Sequence, residues 1–234
     1  MDTSAYRAFA DKHFEGFSDL DLLITAFTHR SYLNEHKSSA KGHNERLEFL
    51  GDAVLELIVT EHLYSNFEEP EGILTNWRSA LVRTESISAA ADREGFEPLL
   101  RLSRGEKRGS ERARQQILAN CYEAVVGALY LDKGYGAAKA FIDRTLLPTL
   151  PEILQNGTWL DPKSRLQEMV QSRDGFTPIY QVTSEEGPDH DKMFVVGVYV
   201  NDKLIGEGEG PSKQAAQVTA ASEALKNYTK RSSL

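Results

Sequence analysis

Residues 43–57 read HNERLEFLGDAVLEL, and this stretch decides how the larger part of the chain is read. Leu47, Leu50 and Val54, followed by Leu57 and Ile58, recur at helical spacing, so the segment is a helix with an apolar side to bury. Glu45, Glu48 and Asp52 stand at i, i+3 and i+7, which a helix gathers within about one sixth of a turn on the other side. Carboxylates stacked in this way repel and raise one another's pKa. The spacing leaves two readings open. One is a solvated acidic face; the other is a face that holds a divalent cation, since hard oxygen ligands suit Mg²⁺.

Downstream, ILANCYEAVVGALYLD (117–132) is a second helix with a long apolar side, and it sets Asn120 and Glu123 at i and i+3. Glu71 stands in EEPEGILTNW (68–77), just ahead of a third helix. Apart, each acid is an ordinary surface residue. Together they could hold Mg²⁺ ions that activate water and stabilise an in-line attack on phosphate. Spacing alone does not say that they meet.

The helical texture runs from residue 1 to about 153, punctuated by Gly72, Gly95, Gly105, Gly109 and Gly134 and closed by Pro148 and Pro151. LQNGTWLD (154–161) breaks the pattern with an Asn156-Gly157 turn pair, so 154–160 is expected as a linker. From 161 to 229 the texture changes. A helix over 164–172 is followed by β-branched and aromatic runs, PIYQVTSEE (178–186) and MFVVGVYVND (193–202). KLIGEGEG (203–210) then leads into an Ala-rich helix opened by Pro211 and Ser212, and 230–234 is a tail. The expected fold is therefore two domains: an all-α domain over 1–153, and an α+β domain of order α-β-β-β-α over 161–229, whose sheet buries one face under two helices.

Charge argues against a protein that binds polyanions by bulk electrostatics. The net charge is −8 and the pI about 5.3. Residues 161–234 carry nine Lys/Arg against eleven Asp/Glu, which leaves 18 against 24 for residues 1–160. Neither part is a basic clamp, so any nucleic-acid contact must rest on where the cations stand. The exception is the run Arg101, Arg104, Lys107, Arg108, Arg112 and Arg114, readable either as a solvated loop or as a phosphate track. Cys121, the sole cysteine, makes an intramolecular disulfide impossible and a cysteine-based zinc site implausible, which fits a reducing cytoplasm. MDTSAYRAFADKHF has no apolar core of a secretory signal, and no apolar run is long enough to span a bilayer, so no membrane partner is expected. With no Ser-His-Asp arrangement or Gly-rich phosphate loop, neither nucleophilic catalysis nor a nucleotide cofactor is expected.

NERLEFLGDAVL (44–55) closely resembles the signature of the bacterial ribonuclease III family. AFTHRSYLNE (26–35), PEGILTNWRSALV (70–82) and LANCYEAVVGALYLD (118–132) resemble the family's flanking blocks in the same order. By this resemblance the helical domain is a nuclease domain. Glu48, Asp52 and Glu123 match metal-binding acids, with Asp52 and Glu123 in the catalytic places; Glu45 and Glu71 match further acids of the cleavage site. Phe49, which alone reads as core, matches an aromatic that packs across the family's homodimer interface. The resemblance implies Mg²⁺-dependent cleavage of double-stranded RNA (Mn²⁺ substituting) to 5′-phosphate and 3′-hydroxyl ends with short 3′ overhangs, and processing of ribosomal RNA precursors and other structured transcripts. Asn120 departs from the pattern, because the family commonly has Asp there. It is expected to serve as a neutral metal ligand or through a water; the alternative is a dimeric duplex-binding protein with impaired cleavage.

DPKSRLQEMVQ (161–171), GPDHDKMFVVGVYV (187–200) and GEGEGPSKQAAQVTAASEAL (206–225) resemble a double-stranded RNA-binding domain. A-form RNA is read by shape, through 2′-hydroxyls of the minor groove and phosphates across the major groove. The expected contacts are Gln167 and Glu168 on the first helix, the Pro188-Asp189-His190 loop, and Ser212 and Lys213 at the start of the last helix, where exposed N–H groups meet phosphate. Lys213 is followed by Gln214, where a second basic residue is usual, so weak RNA binding by this domain in isolation is expected.

Overall fold

The computed structural model describes residues 3–36, 42–157, 159–188 and 192–230, and the chain divides into two compact units between Asn156 and Gly157. The first unit is helical: α1 (Ser4–His13), α2 (Leu20–Ala26), α3 (Arg30–Glu35), α4 (Glu45–Asn66), α5 (Glu71–Leu81), α6 (Thr84–Arg93), α7 (Glu111–Lys133), α8 (Tyr135–Thr145) and α9 (Leu150–Asn156). α9 takes up residues 154–156 of the expected linker, because Leu150 and Ile153 are buried and carry the helix one turn past Pro151.

Two long helices organise this unit. α4 buries Leu47, Val54, Leu55 and Ile58, and α7 buries Cys121, Tyr122, Val125 and Ala128. Phe9, Phe27 and Phe96 stack edge-on beside them, with ring centroids 5.0–5.4 Å apart. α4 and α7 touch backbone to backbone. A Cβ on Gly51 would stand 1.7 Å from the Glu123 carbonyl oxygen, and one on Gly127 would stand 2.3 Å from that of Leu47. Only glycine lets the two helices cross so closely. α4 buries just part of its apolar residues, however. Phe49, Leu57 and Tyr64 are 81%, 58% and 80% exposed, so a second apolar stripe faces outward where Leu57 was expected inside.

The second unit runs α10 (Pro162–Asp174), β1 (Ile179–Glu186), β2 (Met193–Val200), β3 (Lys203–Gly210) and α11 (Lys213–Lys230), with an antiparallel sheet in the order β1-β2-β3. Asp161 caps α10 by accepting from the Lys163 and Ser164 amides at 3.0 and 3.2 Å, with Pro162 in the first turn. Asn201 and Asp202 both have positive φ, 47° and 62°, which makes the tight turn joining β2 to β3. Val196, Val198 and Val200 pack under Leu166 and Val170 of α10 and Ala216, Ala220 and Ala224 of α11. The GEGEG run explains the close seat of α11: Gly206, Gly208 and Gly210 face the helix backbone, while Glu207 and Glu209 stay exposed.

Candidate active site

Asn44 begins the site. Its amide donates to the Thr28 carbonyl at 2.9 Å and its carbonyl accepts from the Glu48 amide at 2.8 Å, fixing the first turn of α4. That turn presents Glu45 and Glu48, and the next presents exposed Asp52. The Gly51–Gly127 crossing brings α7 alongside, and Glu123 then shares an electrostatic environment with Asp52, Glu48 and Glu56. Burial, followed by those three carboxylates, pushes the Glu123 carboxyl up to about 8. Glu48 is also raised, first by burial and then by Glu45 and Asp52. Acids from two separate stretches of sequence thus meet in one place.

Not every expected acid joins them. Glu45 bears on Glu48 while also standing 3.6 Å from Arg30 and 3.7 Å from His43 Nδ1. Glu71 is exposed at the start of α5 and lines a cleft of about 680 Å³ with Thr60, Tyr64, Phe67 and Arg78, which holds none of Glu48, Asp52 and Glu123. Glu56, which sequence reading did not single out, bears on Glu123 while pairing with Arg78 at 3.0 Å. Asn120 accepts through Oδ1 from Gln116 Nε2 at 2.7 Å.

The donor set is chemically suited to a hard divalent cation, being all oxygen and net anionic. Among the described residues no three acidic, histidine or cysteine side chains are gathered as a ready metal cage. Repulsion among like charges opposes such closure until a cation offsets it.

In the second unit, Gln167 and Glu168 are exposed on α10, with Leu166 and Val170 buried behind them. Ser212 caps α11, its hydroxyl accepting from the Ala215 amide at 3.1 Å. Lys213 is exposed but paired with Glu185 at 3.1 Å, and it lies over the Phe194 ring. Pro188 is exposed; Asp189 and His190 lie outside the described residues.

A family model described as Ribonuclease-III-like matches residues 19–150, and one described as double-stranded RNA binding motif matches residues 162–228. A Ribonuclease 3 of Enterococcus faecalis is 45% identical over 212 residues, 90% of this chain and 92% of that one. The Ribonuclease 3 of Streptococcus gordonii is 45% identical over 210 residues, 89% and 90% of the two chains. The chain belongs to the ribonuclease III family. A solved ribonuclease III nuclease domain from Campylobacter jejuni, studied for flexibility in a region involved in its dimer formation, is similar with a TM-score of 0.54. It is 35% identical and covers 61% of this chain and 96% of its own.

As a ribonuclease III, the protein is an endoribonuclease acting on double-stranded RNA, and its two units are the family's nuclease and duplex-binding domains. Its basic run is smaller than the sequence suggested. Arg101 is 7% exposed under the Tyr32 ring, and Arg114 is ion-paired with Glu97. Arg104, Lys107, Arg108 and Arg112 remain exposed. If these cations track phosphate, reversing the charge of Arg104 and Lys107 lowers the slope of log affinity against log salt by about one to two. A filter-binding series across salt concentrations checks this, and an unchanged slope refutes the track.

Proposed function

We propose that this ribonuclease III is a Mg²⁺-dependent hydrolase (with Mn²⁺ as a working substitute) that cuts both strands of an RNA duplex. Its products would be 5′-phosphate and 3′-hydroxyl ends with short 3′ overhangs. The observation that carries the reading is Glu123 of α7 facing Asp52 and Glu48 of α4, with its carboxyl pushed up to about 8. When bound there, Mg²⁺ supplies a water of lowered pKa and charge stabilisation at the phosphate. Glu48, Asp52 and Glu123 are the ligands in this proposal, with Asp52 and Glu123 closest to the chemistry. Glu45, beside Arg30 and His43, orients RNA or water at the mouth of the site. Glu71 acts from the neighbouring cleft.

On the duplex-binding domain, Gln167 and Glu168 meet the minor groove, and the Pro188-Asp189-His190 loop reaches the next one. Ser212 and Lys213 meet phosphate, Lys213 exchanging Glu185 for RNA. Ribosomal RNA precursors and other structured transcripts of the cytoplasm are the natural duplexes in this reading. Among the described residues no helix is long and apolar enough to cross a membrane.

The working unit is proposed to be a homodimer. An exposed phenylalanine flanked by exposed Leu57 and Tyr64 is an apolar surface that a second copy covers well. Phe49→Ala should weaken self-association by about 100-fold, as loss of an interface anchor does. Sedimentation at micromolar concentration reads this as a shift from dimer to monomer, and an unchanged dimer counts against Phe49 as the anchor.

Incubating the protein with a long RNA duplex, with and without Mg²⁺, and sizing the products tests the whole reading. Short duplexes bearing 5′-phosphates should form only with Mg²⁺. A duplex bound but left intact in both arms would support the duplex-binding alternative raised by Asn120.

A further inference from the structure

We infer that Glu185 is a built-in phosphate mimic: it holds Lys192 and Lys213 as one two-lysine seat, which the duplex occupies by displacing the carboxylate. Lys192 is then the second cation that Gln214 does not supply at the start of α11, and Glu185 sets how tightly the duplex is held. The inference rests on the proposed contact of Lys213 with phosphate.

The three residues come from three places in the second unit. Glu185 lies at the end of β1, Lys192 directly precedes β2, and Lys213 opens α11. Lys192 Nζ stands 3.1 Å from Glu185 Oε2, and Lys213 Nζ stands 3.1 Å from Oε1 of the same carboxylate. Both ammonium groups also lie over the Phe194 ring, 5.8 and 5.5 Å from its centroid. Glu185 is paired with Phe194 across the β1–β2 ladder, so the ring is the floor of the seat and the carboxylate its centre.

One oxygen for each ammonium is an arrangement that a phosphodiester reproduces, with two non-bridging oxygens sharing one negative charge. Two cations around one anion leave the cluster net positive, so RNA is still drawn to it. The carboxylate is free to exchange. The three side chains are 34–58% exposed, and ion pairs in such positions are weak. Hydrogen bonds from Lys213 and then Lys192 hold the Glu185 carboxyl below the usual carboxylate range, so it competes as an anion at neutral pH. Spacing along the chain gave no sign of this, because Lys192 and Lys213 are 21 positions apart.

Filter binding of the full chain to an RNA duplex in EDTA measures the competition. Glu185→Gln keeps the side-chain shape and should tighten binding about fivefold, the scale of two exposed ion pairs. Lys192→Ala and Lys213→Ala should each weaken binding and lower the slope of log affinity against log salt by up to about one. With both lysines replaced, Glu185→Gln should change affinity by no more than about twofold, since its partners are gone. Glu186→Gln should also change it by no more than about twofold, because strand alternation turns that acid to the other face of the sheet. A second readout follows the Glu185 carboxyl by ¹³C NMR. Its titration should move upward when saturating duplex is added, since phosphate then takes its two lysines.

Affinity that is unchanged or lower in Glu185→Gln, or unchanged in Lys192→Ala, would overturn the mimic. So would an equal gain in the double-lysine background or from Glu186→Gln, or a carboxyl titration indifferent to RNA. Where Lys213→Ala still weakens binding, these results overturn the mimic alone. Lys213→Ala without effect overturns the phosphate contact on which it rests.

Discussion

Glu123→Gln is expected to slow duplex cleavage by about 10³-fold, equivalent to roughly 4 kcal/mol of transition-state stabilisation, while RNA binding is retained. The amide keeps the shape of the side chain and its burial but removes the charge that faces Asp52 and Glu48. Single-turnover cleavage and filter binding on the same duplex separate the two effects. The substitution carries a second signature in metal-free protein. Burial and neighbouring acids push Glu123 up to about 8, so the folded chain retains a proton that the unfolded chain releases near 4.5. A raised acid pKa stabilises the fold most below the unfolded value, and that stability is lost as pH climbs through the folded value. In EDTA the melting temperature should therefore fall between about pH 5 and pH 8 by this contribution. Glu123→Gln should remove the slope, and subtracting its curve from the wild type cancels other titrating groups, including His13 and His62, which burial shifts downward. Added Mg²⁺ should flatten the wild-type curve by favouring the ionised acids.

Gly51→Ala is expected to destabilise the nuclease domain by about 3 kcal/mol or more, because overpacking here meets backbone that cannot swing aside. The added methyl would sit 1.7 Å from the Glu123 carbonyl oxygen and 2.5 Å from its carbon, so α4 and α7 must separate. Separation also moves Glu123 away from Asp52, and cleavage should fall further than stability alone explains. Chemical denaturation measures the first effect and cleavage by the remaining folded fraction measures the second. Gly72→Ala is the control. Nothing lies within 4 Å of its Cβ position, and alanine in the exposed first turn of α5 should add up to about 1 kcal/mol of stability.

Much of this was legible in the letters, for reasons that can be named. Glu45, Glu48 and Asp52 share a face because helical spacing leaves no other arrangement. The α-β-β-β-α order followed from β-branched runs set between two helical ones. What spacing could not supply was contact across the chain. Gly51 and Gly127 look like mild defects within helices, and only the crossing reveals that they bring Glu123 to Asp52. Glu71 shares the acid chemistry yet faces a different cleft. Phe49 and Leu57 carry core-like side chains on a helix apolar on two sides, and periodicity does not say which side lacks a partner. Arg101 counted as a surface cation until Tyr32 was seen to cover it, with its guanidinium donating to Thr28 at 3.1 Å.

Crystals soaked in Mn²⁺ and measured for anomalous scattering test the central claim most directly. A peak is expected about 2.1 Å from carboxylate oxygens contributed by both α4 and α7, Glu48 or Asp52 on one side and Glu123 on the other. Mn²⁺ bound elsewhere in protein that still cleaves duplex RNA, with the Glu123 carboxylate turned to solvent, would contradict it.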